Sequence, residues 1–448
     1  MKIKPSIPRG MRDFSADTIA KRNYILNTVK NVFECYSFAP IETSAMENIN
    51  TLTGKYGVEG DKLIFKILNS GDYLSKTQLD SNLTSQKLTP EISGKALRYD
   101  LTVPFARYVA QNRNDIIFPF RRYQMQKVWR ADRPQKGRFR EFFQCDADDI
   151  GTTSLLCKVE LIQIYDDVFT KLGILDTTIR LNNRKILIGI TELMEATENS
   201  DDIISVLDKI NNIGLEQVNL LLTDKGVSKK GIDIFQKYIN TQDITKLRNL
   251  LSSSKIGMEG VNELTFIMKK IDNIGLKSST LKLDSSLARG LDYYTGTILE
   301  VQANDIEIGS IGGGGRYDDL TSIFGLNDVS GVGISFGIDR IYLVMEELDC
   351  FPNKISKRTK LMFTNLGEEE VNYCLILLSK LRNANVNSEI FPQQVKLKKQ
   401  MDYANKKGIE FVIIVGDNEI KSDLLTVKNM SSGEQKEMSI EDLITQFI

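Results

Sequence analysis

The sequence predicts a mixed α/β (α+β) chain in three parts. A core that mixes helix and strand spans residues 1–185 and 278–347, a helical insertion over 186–277 interrupts it, and a small α/β domain covers 358–448. Three observations carry that reading. Residues 138–148 alternate with period two, as side chains on a strand do. Residues of about 186–277 are dominated by Leu, Ile, Lys, Asn and Ser, keep helical spacing and hold no chemical motif. From about 360 onward, short strand-like and helix-like stretches alternate. A chain of 448 residues has room for two or three domains.

Taken in order, Ile19, Ile25, Val29, Val32, Phe33 and Tyr36 follow helical spacing. The chain then turns extended from Ser37 to Thr43, and Pro40 there cannot donate to a ladder, which makes this an edge or interface strand. In Arg98-Tyr-Asp100-Leu-Thr102-Val-Pro104, Thr102 or Val103 caps a helix and Pro104 occupies its first turn. Asp100 and Thr102 therefore lie just before a helix N-terminus. Residues 120–130 form a strand, Pro134-Gln-Lys-Gly137 a loop, and 138–148 a second strand, giving an antiparallel hairpin. Arg138, Arg140, Phe142, Gln144, Asp146 and Asp148 share one face of that second strand. Phe139, Phe143, Cys145 and Ala147 share the other, with Glu141 the exception. Cations at one end, an aromatic in the middle and carboxylates at the other make a floor for a ligand with a phosphate, a flat base and an ammonium group.

After the insertion come Ala288-Arg289-Gly-Leu-Asp-Tyr293-Tyr294-Thr-Gly, then Gly309-Ser-Ile-Gly312-Gly-Gly-Gly315-Arg316-Tyr317-Asp318, then Gly331 to Arg340 leading into a helix. Residues of about 347–358 read as a linker. The C-terminal part follows as strand 360–365, helix 368–384, strand 386–391, helix 395–407, strand 410–415, a hairpin and a last helix.

The chain has no histidine. That excludes Ser-His and Cys-His nucleophiles, an imidazole general base and histidine metal ligands. Chemistry here rests on charge and positioning by Arg, Lys, Asp, Glu and Tyr, which phosphoryl and nucleotidyl transfer tolerates. The net charge of −1 confines any nucleic-acid contact to local patches. Five scattered cysteines with no CxxC pair read as reduced thiols of a cytoplasmic protein. The N-terminal residues show neither an apolar signal core nor an Arg/Ser-rich leader, and no stretch approaches the roughly 20 apolar residues of a membrane span.

Several motifs have a bland reading beside the sharp one. Gly312–Gly315 lacks the ending of a phosphate loop and reads as a strand that needs close backbone approach, with a ligand as the thing approaching. Arg130, Arg138, Arg289 and Arg340 are either structural ion-pair partners or a clamp for a polyanion. Tyr293 and Tyr294 are core aromatics or the hydroxyls of a polar pocket. The lysines of 396–407 fit a solvated helix face better than a phosphate contact.

Together these segments resemble the histidyl-tRNA synthetases, a family of class II aminoacyl-tRNA synthetases. The likeness covers nearly the whole chain in the family's order. Pro8-Arg-Gly-Met-Arg-Asp-Phe14 is similar to the N-terminal signature, and the helix and strand ending at Pro40 to class II motif 1. Arg130 to Asp148 resembles motif 2, and Gly337-Ile-Asp-Arg340 motif 3. Ala288 to Tyr294 and Gly313-Gly-Gly-Arg316-Tyr317-Asp318 resemble the two histidine-specific signatures. Motifs 2 and 3 alone are loose, whereas the RGLDYYTG and GGGGRYD pair is highly specific.

The resemblance implies a class II antiparallel-sheet catalytic domain and a C-terminal anticodon-binding domain. It implies a reaction of L-histidine with ATP to histidyl-adenylate, followed by transfer to tRNA-His, with Mg²⁺ accompanying ATP. A homodimer built on motif 1 is implied as well. By position, Arg130 would bind the α-phosphate with Asp132 nearby, Phe142 would stack on adenine, and Arg138 and Arg340 would hold the distal phosphates. Arg289 would stabilise the charge that builds as the carboxylate attacks, so Arg289 and Arg130 are the implied catalytic pair. Asp100, Thr102 and Gln144 would hold the substrate ammonium, and Asp148, Tyr294 and Tyr317 would read the imidazole. Asp132 and Asp148 stand where many members carry Glu, shortening each arm by one methylene. The rival reading is a regulatory paralogue that binds histidine or tRNA without catalysis. Such paralogues typically lose the RGLDYYTG signature and the C-terminal domain, and this chain keeps both.

Overall fold

The computed structural model describes all residues except 1, 2, 76, 78–83, 289–292, 354, 356–358 and 448. The chain forms two compact units, Met1–Pro352 and Asn353–Ile448, each with its own apolar core.

An eight-stranded sheet organises the first unit. From edge to edge its strands are Ala39–Pro40, Phe120–Trp129, Glu141–Ile150, Gly331–Gly337, Gly312–Tyr317, Thr297–Ala303, Thr177–Asn183 and Ser279–Leu283. The two outermost pairings are parallel and all those between are antiparallel. Pro40 sits at the edge, where its missing N–H costs no ladder bond. Helix Ala16–Cys35 is capped by Ser15, whose side chain accepts from the Thr18 N–H. Its apolar stripe of Ile25, Val29, Val32 and Phe33 is buried on the sheet, with the Phe33 ring 5.8 Å from that of Phe336. Helix Leu156–Leu172 buries Tyr165 and Phe169 against the same Phe336 ring.

The hairpin of the central strands has different ends from those the alternation predicts, its second strand beginning and finishing later in the chain. Phe120–Trp129 and Glu141–Ile150 pair over their full length, from Phe120 opposite Ile150 to Trp129 opposite Glu141. Arg138 and Arg140 lie outside the second strand, which is a correction to the period-two reading. Gln135 and Arg138 exchange backbone hydrogen bonds of 2.9 and 3.1 Å across a tight turn, and the Arg140 N–H is drawn to the Gly10 carbonyl. Beyond Glu141 the hairpin keeps the bond from the Arg130 N–H to the Arg140 carbonyl at 3.0 Å, and these contacts then end the ladder.

Helix Thr102–Gln111 starts one or two residues earlier than a cap at Thr102 or Val103 implies, with Leu101 in the cap position. Leucine cannot cap, and the Asp100 carboxylate takes over by accepting the Val103 N–H at 3.1 Å. A three-stranded sheet of Met46–Asn48, Lys95–Leu97 and Lys66–Ile67 had no counterpart in the sequence reading, since strands of two or three residues are too short to alternate visibly.

Helices Arg184–Leu193, Ser200–Leu207, Ile210–Asp224, Lys229–Ile239, Ile244–Leu250 and Lys255–Ile274 fill the stretch between the Thr177–Asn183 and Ser279–Leu283 strands. Their apolar faces join the same core as the sheet. Lys158 ties the last of them down: its ammonium, fully buried, meets Glu263 at 2.9 Å and the Thr297 hydroxyl at 2.7 Å.

The second unit has a five-stranded sheet in the order Ser388–Ile390, Leu361–Phe363, Phe411–Ile414, Leu425–Asn429, Gln435–Met438. Helices Glu368–Asn383, Leu397–Lys407 and Ile440–Phe447 accompany it, with a short helix Asp417–Ser422 that the sequence reading did not contain.

Candidate active site

The face of Glu141–Ile150 that carries Phe142, Gln144, Asp146 and Asp148 lines two adjoining cavities. The larger measures about 360 Å³ and the smaller about 50 Å³. Gln144, Tyr294, Gly313, Gly314 and Ser335 border both, so the two communicate over the middle of the sheet.

The larger cavity gathers Arg130, Asp132, Arg138, Phe142 and Arg340. The Arg130 guanidinium stacks 4.3 Å over the Tyr99 ring and 5.2 Å over Phe142, and its Nε donates to the Tyr99 carbonyl at 3.0 Å. These contacts fix the fork and leave its outer N–H groups for a ligand. Arg138 pairs with Asp132 at 2.8 Å, from a half-exposed position. Arg340 enters at the start of helix Ile338–Glu347, held by the carbonyls of Gly137 and Ser310 at 3.2 and 2.6 Å. Arg289 lies outside the described residues.

The smaller cavity gathers Asp100, Thr102, Gln144, Asp148, Tyr294 and Tyr317. Its carboxylates are buried. Asp100 accepts hydrogen bonds from the Tyr56 hydroxyl at 2.9 Å and the Tyr293 hydroxyl at 3.2 Å. Burial lifts the Asp100 pKa, against the pull of Arg130 and those donors. Asp148 accepts from the Tyr317 hydroxyl at 2.5 Å and faces Nη2 of Arg122 at 2.8 Å. Burial again pushes its pKa up while Arg122 pulls down. Arg122 is fully buried, stacked 4.1 Å over Phe105, and stands opposite Asp148 in the strand register.

Sequence reasoning left out Ser335 and Arg122, and gave no specific role to Asp146 and Tyr293, which it had placed on the ligand floor and in a candidate polar pocket. Asp146, Tyr293 and Ser335 line the smaller cavity, and Arg122 supplies its buried cation. Asp146 was in phase with Gln144 and Asp148, which is the signal that could have given it a role. Arg122 needed the hairpin register.

The glycine strand also reads differently in three dimensions. Protein backbone, not a ligand, crowds Gly314: a Cβ there would come within 2.2 Å of the Gly333 carbonyl oxygen. Gly313 and Gly314 both border the two cavities, but only at Gly313 would a Cβ find ordinary room, 3.4 Å from the Leu299 carbonyl oxygen.

An antiparallel sheet with this order, a helical excursion and a separate small α/β unit is the fold of a class II aminoacyl-tRNA synthetase. The family model for histidyl-tRNA synthetase matches residues 10–341, and that for an anticodon binding domain matches 360–448. The histidine--tRNA ligase of Christiangramia forsetii is 52% identical over 99% of both chains. That of Phocaeicola vulgatus is also 52% identical, again over 99% of both. The crystal structure of histidyl-tRNA synthetase from Nostoc sp. PCC 7120 superposes with a TM-score of 0.80 at 30% identity, covering 100% of this chain and 99% of that one. The chain belongs to the histidyl-tRNA synthetase family.

Proposed function

We propose that this enzyme activates L-histidine with ATP in the two adjoining cavities and then charges tRNA-His, with the roles divided as follows. In the larger cavity Arg130 grips the α-phosphate, Phe142 stacks on adenine, and Arg138 and Arg340 hold the distal phosphates, with Asp132 orienting Arg138. In the smaller one Asp100, Thr102 and Gln144 hold the ammonium, and Asp148, Tyr294 and Tyr317 read the imidazole. The observation that carries this division is the shared border at Gln144 and Tyr294, which brings a bound amino acid's carboxylate toward the phosphate-holding arginines. Attack of that carboxylate on the α-phosphorus expels pyrophosphate. Preorganised cations in a partly enclosed site suit the charge that develops there. The role of Arg289 rests on the RGLDYYTG resemblance.

A site lined by buried carboxylates and tyrosine hydroxyls penalises a side chain that cannot pair with them. Discrimination of roughly 10⁴ or more then needs no editing step. Among the described residues no three acidic or thiol ligands cluster as a metal site. The carboxylates that line the larger cavity, Asp132, Glu300 and Asp339, are paired with Arg138, with Arg180, and with Arg12 and Arg22. Mg²⁺ would therefore come held chiefly by the nucleotide phosphates and water, as is usual for that ion.

The second unit would recognise the anticodon, with residues 186–277 acting as an insertion in a catalytic core of 1–185 and 278–347. The edge strand Ala39–Pro40, with one side unpaired, suits a homodimer contact, which sedimentation would test. Among the described residues no helix is long and apolar enough to cross a membrane, in keeping with a cytoplasmic enzyme.

Histidine-dependent ATP–pyrophosphate exchange, with Arg289→Ala alongside, tests the reading. Exchange that requires histidine, rejects other amino acids and collapses in the variant is expected. A folded protein that binds histidine without exchange would favour the regulatory paralogue.

A further inference from the structure

Asp146 is 2% exposed at the centre of Glu141–Ile150, yet the division of roles above leaves it without one. It lines the smaller cavity between Gln144 and Asp148. Its Oδ1 is buried and meets no hydrogen-bond donor, and the same holds for Oε1 of Gln144 beside it. A buried carboxylate oxygen left unpaired is costly unless something supplied from outside completes it.

The groups that face Asp146 come from every neighbouring element. Gln144 and Asp148 flank it on its own strand, and Arg122 and Gln124 come from Phe120–Trp129, Gln124 being its register partner. Ser335, opposite it on Gly331–Gly337, gives it a hydroxyl. Asp100 stands across the cavity, and Tyr294 closes it. The Tyr165 hydroxyl is already spent on the carbonyls of Gly313 and Ser335. Arg130 belongs to the larger cavity, where a phosphate and the substrate carboxylate balance it. Among the described residues Arg122 is the buried cation set against Asp146 and Asp148, while the pull on Asp100 comes from Arg130. A substrate ammonium offsets one more charge, and one negative charge remains.

An imidazole ring can supply the missing charge in only one of its forms. The neutral ring offers one N–H and one lone pair, whereas imidazolium offers two N–H donors and a positive charge. We propose that Asp146 is a further specificity-determining residue, the second carboxylate that pairs with the ring beside Asp148, and that histidine is bound with its ring protonated. This inference rests on reading the smaller cavity as the histidine site.

A proton balance follows. At pH 8.5 a free histidine ring, with its usual pKa of about 6.5, is neutral. Asp146, which burial pushes up to about 7 against the pull of Arg122, is ionised there. Binding therefore takes one proton from solvent onto the ring. As pH falls, free histidine and Asp146 come to carry that proton beforehand, so uptake shrinks to zero near neutrality and turns to release below it.

Calorimetric titration of the full-length enzyme with L-histidine, in two buffers of different ionisation heat, measures that proton directly. At pH 8.5 the ring is expected to take up close to one proton, beside the smaller fraction taken by the partly neutral α-amino group of free histidine, and the ring's share falls toward zero near pH 7. In pyrophosphate exchange the KM for histidine is expected to rise about tenfold per pH unit above pH 7.5, as the protonated ring becomes scarce. In Asp146→Asn the charge already balances with a neutral ring, so uptake at pH 8.5 should fall by about one proton, leaving the α-amino share, and the KM slope between pH 7.5 and 8.5 should flatten. Trp129 fluorescence reports whether the variant has folded. Histidine-specific exchange by the wild type without proton uptake, or a folded variant with wild-type uptake, would overturn the role of Asp146 alone. Absence of histidine-dependent exchange in the wild type would instead remove the reading beneath it.

Discussion

Gly333 and Asp148 stand opposite each other on adjacent antiparallel strands, and a Cβ on Gly333 would lie 1.9 Å from Oδ1 of Asp148. The absent side chain is what lets the carboxylate lie flat toward Tyr317 and the smaller cavity. Gly333→Ala should therefore push Asp148 off the Tyr317 hydroxyl. Losing one buried, charge-assisted hydrogen bond costs about 1.5–3 kcal/mol. The KM for histidine should rise roughly tenfold to a hundredfold while that for ATP stays near its wild-type value. Pyrophosphate exchange with each substrate varied in turn separates the two, and equal effects on both would contradict this account.

Arg122 is a fully buried cation whose partner carboxylates belong to the site. Arg122→Met leaves Asp148 and Asp146 without it, and breaking a buried pair on one side typically costs about 3–5 kcal/mol. The double variant Arg122→Met/Asp148→Asn should recover part of that loss. Trp129 is the only tryptophan, so its fluorescence during urea unfolding reports on the first unit. Additive effects of the two substitutions would count against a direct pair.

The sequence carried the strand phase but not the strand partners. Phe142, Gln144 and Asp148 share a face because side chains alternate, and that periodicity is local. Arg122 meets Asp148 only because the hairpin register sets them opposite, and register depends on a turn whose geometry a long Pro/Gly loop does not reveal. The turn also took Arg138 off the strand while keeping it in the larger cavity, where it reaches Asp132 from the loop. The very short strands near residues 46, 66 and 95 left no periodic trace, and Asp100 replaced the cap expected at Thr102 or Val103. The glycines crowd against the protein's own strands because neighbouring backbones in a sheet are unavoidable company, and composition cannot say which neighbour that will be.

Arg130 is anchored by one hydrogen bond to the Tyr99 carbonyl and by two aromatic faces. Lysine keeps the charge but has neither the planar fork nor the stacking. Arg130→Lys should lower kcat for pyrophosphate exchange by about 10²-fold or more, the scale seen when one transition-state donor is lost. Histidine binding measured by calorimetry should change much less, because the smaller cavity keeps its own groups. A variant whose only defect is a raised KM for ATP would assign Arg130 to ground-state binding instead.

Glu263 joins helix Lys255–Ile274 to the sheet by meeting Lys158 at 2.9 Å, Lys185 at 3.0 Å and the Asn183 amide at 2.9 Å. Although burial disfavours its charge, these donors together hold its pKa down at about 2, from an ordinary value of 4.5. Lys158 moves the other way, since burial outweighs its partner and lowers it to about 8. The signs then work out separately. A carboxyl depressed in the folded state adds stability above 4.5 that disappears as pH falls through about 2. A lysine depressed in the folded state is a liability that eases as pH rises from about 8 to 10.5. Glu263→Gln should leave Lys158 buried without a carboxylate and destabilise the first unit by about 3–5 kcal/mol near neutral pH. It should also flatten the acid limb of the stability curve between pH 4.5 and about 2, where the wild type loses this contribution. Trp129-detected urea unfolding across that range, wild type beside variant, measures both effects. Parallel acid limbs in the two proteins would show that the acid sensitivity lies in other carboxylates.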